Sequence, residues 1–303
     1  MTFSLGVNTN AFVNRIVEPE ALVPVIVDDI GLRRIQLTPE ILSPDWPAAV
    51  IADHVKRWNA ACARHGARVT TTFTGNYTRL NSLCHPDPDV RAHWRAWLER
   101  LIDIAADLGA KATGSQIGIL TYLDDQDPAR RADRFKVARD HWHGLAAHAK
   151  ARGLDCLMWE PMSVTREFGE TIEACWRDHE ALNEGAPLPI LINVDIDHGD
   201  VTSTNPADTD PYAWAEAFAR VSPVVHIKQS SMDKGGHRPF TAEYNAKGRV
   251  QPEKLVAALE AGGGRDNELV FEFTFREREP TDSHVVAALK ESVDFWRGHV
   301  SLD

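Results

Sequence analysis

Four short apolar runs in this chain each end on a side chain that can carry charge or bind a cation. Residues 154–159 lead into Glu160, residues 187–192 into Asn193-Val194-Asp195-Ile196-Asp197-His198-Gly199-Asp200, residues 221–225 into His226, and residues 269–271 into Glu272. Carboxylates and an imidazole beside a core are costly unless they are paired or bound to a cation. Gathered in one place, the carboxylates would repel and raise one another's pKa unless a cation neutralised them. Oxygen ligands with one imidazole and no thiolate suit Mn2+ or Mg2+ first, with Co2+ or Zn2+ as alternatives. Singly, a strand-end carboxylate is usually a helix cap or half of an ion pair. The succession of all four points to Glu160, Asp195, His226 and Glu272 as ligands of one divalent metal ion.

Such residues need a scaffold that gathers strand ends. Residues 3–7 form a short apolar run ending at Asn8-Thr9-Asn10, residues 34–38 a second stopped by Pro39, and residues 68–73 a β-branched third. Residues 112–116 form a weak fourth. Helical spacing occupies residues 46–65, 88–108 and 129–152, the first closed by Gly66 and the second by Gly109. Residues 19–26 read as a helix opened by Pro19 and bent or shortened at Pro24. Further helices are expected over 211–220, 252–261 and 283–299. Strand and helix alternating about eight times predicts an α/β protein with a parallel sheet. A doubly wound open sheet shows the same alternation. Here, however, no glycine-rich phosphate turn follows the first strand, and Gly262-Gly263-Gly264 falls before a strand, not after one. At 303 residues the chain is the size of one (β/α)8 barrel with modest insertions. The expected fold is therefore a single (β/α)8 TIM barrel over residues 1–303. Its strands open on one face, making Glu160, Asp195, His226 and Glu272 neighbours despite their wide spacing.

Composition narrows the partners. With 44 acidic and 33 basic residues the net charge is −11, which argues against a nucleic-acid or anionic-membrane surface while leaving room for one phosphate. Cys62, Cys84, Cys156 and Cys175 are too scattered for a thiolate site and read as buried thiols of a reducing compartment. The N-terminus lacks a signal-peptide pattern, and no apolar run approaches the ~20 residues of a membrane span. A cytoplasmic protein is expected.

The order Glu160, Asp195-x-x-His198, His226, Glu272 resembles the xylose-isomerase-like TIM-barrel superfamily, and within it the sugar isomerases and ketose 3-epimerases. The segments Glu160-Pro161-Met162-Ser163 and Arg166-Glu167 are similar to a tetrulose-phosphate epimerase branch of erythritol catabolism. The resemblance implies that Glu160, Asp195, His226 and Glu272 hold the metal and that His198 touches substrate oxygens. Asp197, two residues beyond Asp195, is an alternative ligand. The chain departs from the ketose epimerase pattern after the fifth and seventh strands: Glu167 lies seven residues past Glu160, and the first arginine beyond His226 is Arg238. Members often form homodimers or homotetramers, an expectation that carries over.

Such a site suits proton removal α to a carbonyl. A metal chelated by a carbonyl and its neighbouring hydroxyl would hold the enediolate, while Glu160 and Glu272 on opposite sides act as base and acid. Delivery to the opposite face gives epimerisation; delivery to the adjacent carbon gives aldose–ketose isomerisation. Lys228, two residues past His226 on the same side of the strand, and Arg238, on a glycine-bearing loop over residues 230–238, are candidates to grip a phosphate. Arg276 and Arg278 read as an exposed alternating-charge segment. Asn8, Thr72 and Gln116, at earlier strand ends, are candidates for substrate hydroxyls, and Phe12, Trp159 and Phe273 for the wall of a sugar pocket. His141, His143 and His148 lack chelating helical spacing and read as a solvated face.

The leading expectation is a metal-dependent epimerase or isomerase of a small sugar, a ketose phosphate such as a tetrulose phosphate. Three alternatives share the barrel: a lyase or dehydratase, an abasic-site endonuclease type of metal hydrolase, and a non-catalytic metal-binding barrel. The hydrolase would need more His and acidic ligands on early strands than Asn, Thr and Gln provide.

Overall fold

A computed structural model describes residues 3–231, 234–276 and 281–303. Eight parallel strands close into a barrel: β1 (Ser4–Asn8), β2 (Arg34–Leu37), β3 (Arg68–Phe73), β4 (Ala112–Ser115), β5 (Cys156–Trp159), β6 (Ile190–Asp195), β7 (Val224–Ile227) and β10 (Glu268–Phe271). Between β7 and β10 lies a separate antiparallel pair, β8 (Gln229–Ser231) and β9 (Lys234–Arg238). The fold is the expected (β/α)8 barrel, but Gln229–Ser231 and Lys234–Arg238 pair as antiparallel strands where a loop is expected. Met232 and Asp233 of that segment, and Arg278 of the alternating-charge segment, lie outside the described residues.

The helices form where local signals place them. Asp87 caps Pro88–Asp107 by accepting from Asp89 N–H, and Asp127 caps Pro128–Ala151 by accepting from Ala129 and Arg130 N–H, each with proline in the first turn. Gly66 ends Ala48–His65 at φ +66°, a left-handed geometry that costs glycine little. The helix Pro19–Pro24 continues past Pro24 as a π-helical turn, Val25–Ile30.

Alternation along each strand separates two cores. Leu157, Ile192, Val194, Val225, Ile227, Leu269 and Phe271 face the helices, whereas Phe73, Ala112, Cys156, Met158, Val224 and Val270 fill the barrel interior. Space there is tight: a Cβ on Gly114 would lie 1.9 Å from the Met158 carbonyl oxygen. Below this plug Glu268 is held by Arg34 at 3.2 Å and Thr70 Oγ1 at 2.7 Å. A register shift between β2 and β3 turns both Thr70 and Thr71 inward.

Several peripheral expectations change. His141, His143 and His148 are half-buried, because their helix is flanked on both sides; His143 meets the Leu182 carbonyl and His148 the Asp103 carboxylate, each at 2.9 Å. Phe12, Trp159 and Phe273 belong to the main apolar core and are fully covered. Thr72 points away from the barrel axis, its hydroxyl 2.5 Å from that of Thr113. The four cysteines are free and buried, and burial pushes Cys62 up to about 11 and Cys84 and Cys156 to about 12. Among the described residues no helix is long and apolar enough to cross a membrane.

Candidate metal centre and active site

The same period-two alternation that builds the interior aims the site residues inward. On β5, Cys156 and Met158 face in and Glu160 continues the row; on β6, Asn193 is followed by Asp195. Val224 on β7 precedes His226 and then Lys228, and Val270 on β10 precedes Glu272. Ligand atoms of Glu160, Asp195, His226 and Glu272 all lie within 4.8 Å of one another, and every one of these residues is buried. His226 Nδ1 stands 2.9 Å from Glu160 Oε1 and 3.6 Å from Glu272 Oε1, so the two glutamates converge on one imidazole nitrogen.

The other ring nitrogen is committed. His226 Nε2 donates to Gln36 Oε1 at 2.6 Å, and the same oxygen accepts from Asn8 Nδ2 at 2.7 Å. Gln36 Nε2 in turn donates to Thr71 Oγ1 at 3.2 Å. This amide ladder fixes the tautomer and ring angle that turn Nδ1 toward the carboxylates, the support a metal-ligating histidine needs. Asn8 Oδ1 accepts from Asn10 N–H, so its amide is engaged at both ends.

Charge compensation inside the cluster comes from Lys228. Its ammonium pairs with Asp195 and lies 3.4 Å from Glu272 Oε2, in a side chain only 1% exposed. Burial opposes ionisation of Glu272, but His226, Lys228 and His237 outweigh it and hold the carboxyl well below its usual range. Asp195 follows the same pattern, with His198 and Lys228 overcoming burial to lower it. Burial alone would lower His226, yet Glu272 and Glu160 raise it. Three buried carboxylates against one lysine and one imidazole leave a site whose charge and donor atoms fit a divalent ion.

The remaining expected residues divide. His198 is at the cluster: Nε2 is 3.0 Å from Asp195 Oδ2, while Nδ1 donates to the Pro161 carbonyl at 3.1 Å. Asp197 turns away, accepting from Ser230 Oγ at 2.9 Å and pairing with Arg249. Arg238 stacks over Tyr244 at 5.2 Å and lines a cavity of about 490 Å3 with Thr274 and His284; Lys228 is not in that lining. Gln116 is buried just past the end of β4, its Oε1 accepting from Ser115 Oγ at 3.3 Å and its carbonyl from Asn81 Nδ2 at 2.6 Å. Glu167 pairs with Arg79.

Gln36 and His237 escape the sequence reading. Gln36 left a signal, a polar residue at an inward position of an apolar strand. His237 left none: the hairpin carries its Nδ1 to 3.1 Å from Glu272 Oε2.

The profile of the xylose isomerase-like TIM barrel family matches residues 26–299. A D-erythrulose 1-phosphate 3-epimerase of Brucella abortus is 50% identical over 301 residues, covering 99% of this chain and 97% of the relative. Among solved structures, a candidate xylose isomerase of Rhodospirillum rubrum superposes with a TM-score of 0.86 at 26% identity, over 97% of this chain and 98% of that one. A D-psicose 3-epimerase of Clostridium cellulolyticum, solved with D-tagatose, has the same fold at a TM-score of 0.72 and 13% identity, over 99% and 100% of the two chains. The protein belongs to the xylose isomerase-like TIM barrel family.

Proposed function

We propose that this protein is a divalent-metal-dependent epimerase of a small ketose phosphate, with a tetrulose phosphate, D-erythrulose 1-phosphate or its C3 epimer, as substrate. The observation that carries this reading is the convergence of Glu160 and Glu272 on His226 Nδ1, at 2.9 and 3.6 Å, beside Asp195. The 50% identity to a D-erythrulose 1-phosphate 3-epimerase supports the choice of sugar.

Glu160, Asp195, His226 and Glu272 hold the ion, Mn2+ or Mg2+ by its oxygen-rich set with Co2+ or Zn2+ as alternatives. When bound, it supplies Lewis-acid polarisation of the substrate carbonyl. One glutamate removes the proton from the carbon beside the carbonyl, and the electron pair of the broken C–H bond moves into the carbonyl. The other glutamate delivers a proton to the opposite face as that pair returns. His198 and Lys228 hydrogen-bond substrate oxygens, and Arg238 at its cavity takes the phosphate. Asn8 acts through Gln36, and Gln116 shapes the wall beyond β4. We assign the protein to the cytoplasm, acting on a small sugar phosphate and on neither nucleic acid nor membrane, as a homodimer or homotetramer.

The test is proton exchange. The enzyme with Mn2+ and D-erythrulose 1-phosphate in D2O should lose the C3–H signal by NMR while the second epimer grows in. Absence of exchange with every tetrulose, pentulose and hexulose phosphate, metal supplied, defeats the reading. A dehydrated product would replace it with a lyase.

A further inference from the structure

The turn after β6 carries a carboxylate that the metal cluster does not use. Asp197, its side chain 5% exposed, pairs with Arg249. Asp197 Oδ1 also accepts from Ser230 Oγ at 2.9 Å, and Oδ2 from the Gly236 N–H at 3.4 Å. Ser230 lies on β8 and Gly236 on β9, so one side chain ties down both strands of the hairpin. Arg249 strengthens the tie, donating from Nε to Ser230 Oγ at 2.9 Å and from a terminal nitrogen to the Thr209 carbonyl at 2.6 Å.

The residue after Gly236 is His237. Its imidazole is 30% exposed and lies 3.1 Å from Glu272 Oε2 and 3.2 Å from the Lys228 ammonium, with its ring edge-on to His198 at 6.1 Å. Glu272 therefore divides its oxygens: Oε1 faces His226 inside the barrel, and Oε2 faces the hairpin. Glu160 is held differently. Its Oε1 faces His226 and, at 4.0 Å, His198, and it has no hydrogen bond to either hairpin strand among the described residues. The barrel strands place both glutamates, but among the described residues the hairpin holds the carboxylate of Glu272 and not that of Glu160.

We propose that Asp197 and His237 are positioning residues for Glu272: Asp197 fixes the hairpin on the barrel rim, and His237 on that hairpin aims the Glu272 carboxylate. The inference rests on the epimerase reading and adds an asymmetry to it. Disturbing the hairpin disables one of the two proton-transfer groups and spares the other.

That asymmetry is measurable. Starting from each protonated epimer in D2O, washout of the C3 proton (its replacement by solvent deuterium in recovered substrate) is compared with conversion to the other epimer, for His237→Leu, His237→Asn, Asp197→Asn, Glu272→Gln and Glu160→Gln. In the direction where Glu272 delivers the proton, His237→Leu should raise the washout-to-epimerisation ratio by about tenfold or more, the usual scale for losing an outer-shell partner. The shift should match the sense of Glu272→Gln and oppose that of Glu160→Gln, and His237→Asn should restore part of it. Asp197→Asn, with Ser230→Ala as a milder second variant, should shift the ratio in the same sense. Both should also speed amide exchange across residues 229–238 in protein with and without metal, leaving bound-metal stoichiometry unchanged. A ratio in His237→Leu equal to wild type, or shifted as in Glu160→Gln, overturns the positioning role while leaving the epimerase reading intact. A wild type that exchanges with neither epimer overturns both.

Discussion

Gln36 and His226, 190 residues apart in sequence, are joined by a 2.6 Å hydrogen bond from the imidazole Nε2 to the amide oxygen. The bond leaves Nδ1 as the nitrogen presented to Glu160 and Glu272. Replacing Gln36 by Leu should weaken divalent-metal affinity about 10–100-fold. It also strips Asn8 Nδ2 of its acceptor, for a stability loss of about 1–3 kcal/mol. Calorimetric titration with Mn2+ and denaturant melts of the metal-free protein measure the two effects separately. Unchanged metal affinity in Gln36→Leu would remove the ladder from the account of the site.

Lys228 is the cation that balances Asp195 and Glu272 in metal-free protein. Lys228→Met leaves buried carboxylates uncompensated and should destabilise that form by about 3–5 kcal/mol. A divalent ion takes over the compensation, so the rise in Tm on adding Mn2+ should be larger in the variant than in wild type. For scale, metal at 100 times its Kd stabilises a protein by about 2.7 kcal/mol. Thermal melts with EDTA and with Mn2+ decide the point; an equal or smaller rise in the variant contradicts it.

Acidity acts on the cluster in opposite senses at its two ends. Asp195 and Glu272 are lowered from their ordinary 3.8 and 4.5, so their contribution is fully present above about pH 4.5 and is lost as pH falls through the depressed values. His226 is raised above 6.5, so in metal-free protein its contribution is full below pH 6.5 and is lost as pH rises through the raised value. A metal needs the neutral imidazole, and binding should therefore release a proton. Mn2+ affinity should tighten with rising pH above 6.5, by up to about tenfold per unit, until His226 is neutral without metal. Titrations in buffers of different ionisation enthalpy report the released proton; a pH-independent affinity rules it out.

Arg238 is the arginine assigned to phosphate. Arg238→Ala should lower kcat/KM for a tetrulose phosphate about 10–100-fold, the loss of a charge-assisted contact of ~1.5–3 kcal/mol. Turnover of the unphosphorylated tetrulose should change by less than about twofold. Equal losses on both substrates would mean that Arg238 serves the fold, where it stacks on Tyr244, and not the phosphate.

Much of the site was written locally. A β-strand alternates its faces by geometry alone, so Met158 inside the barrel determines Glu160, and Val270 determines Glu272. The alternation of strand with helix along the chain, together with its length, predicts the barrel and the clustering of strand ends at its mouth. The alternation of faces fails where a strand stops. Asp195 and Asp197 have equal claims by alternation, but β6 ends at Asp195, whose Oδ1 accepts from the Asp197 N–H at 2.8 Å, and the turn sends Asp197 to the hairpin. His237 depends on that hairpin folding back over β10, and the Gln36–His226 bond on a barrel closed between distant strands. Which side chains face inward is a property of a few consecutive residues. Which partners meet them is set by chain closure over tens to hundreds of residues, and only the tertiary structure decided it.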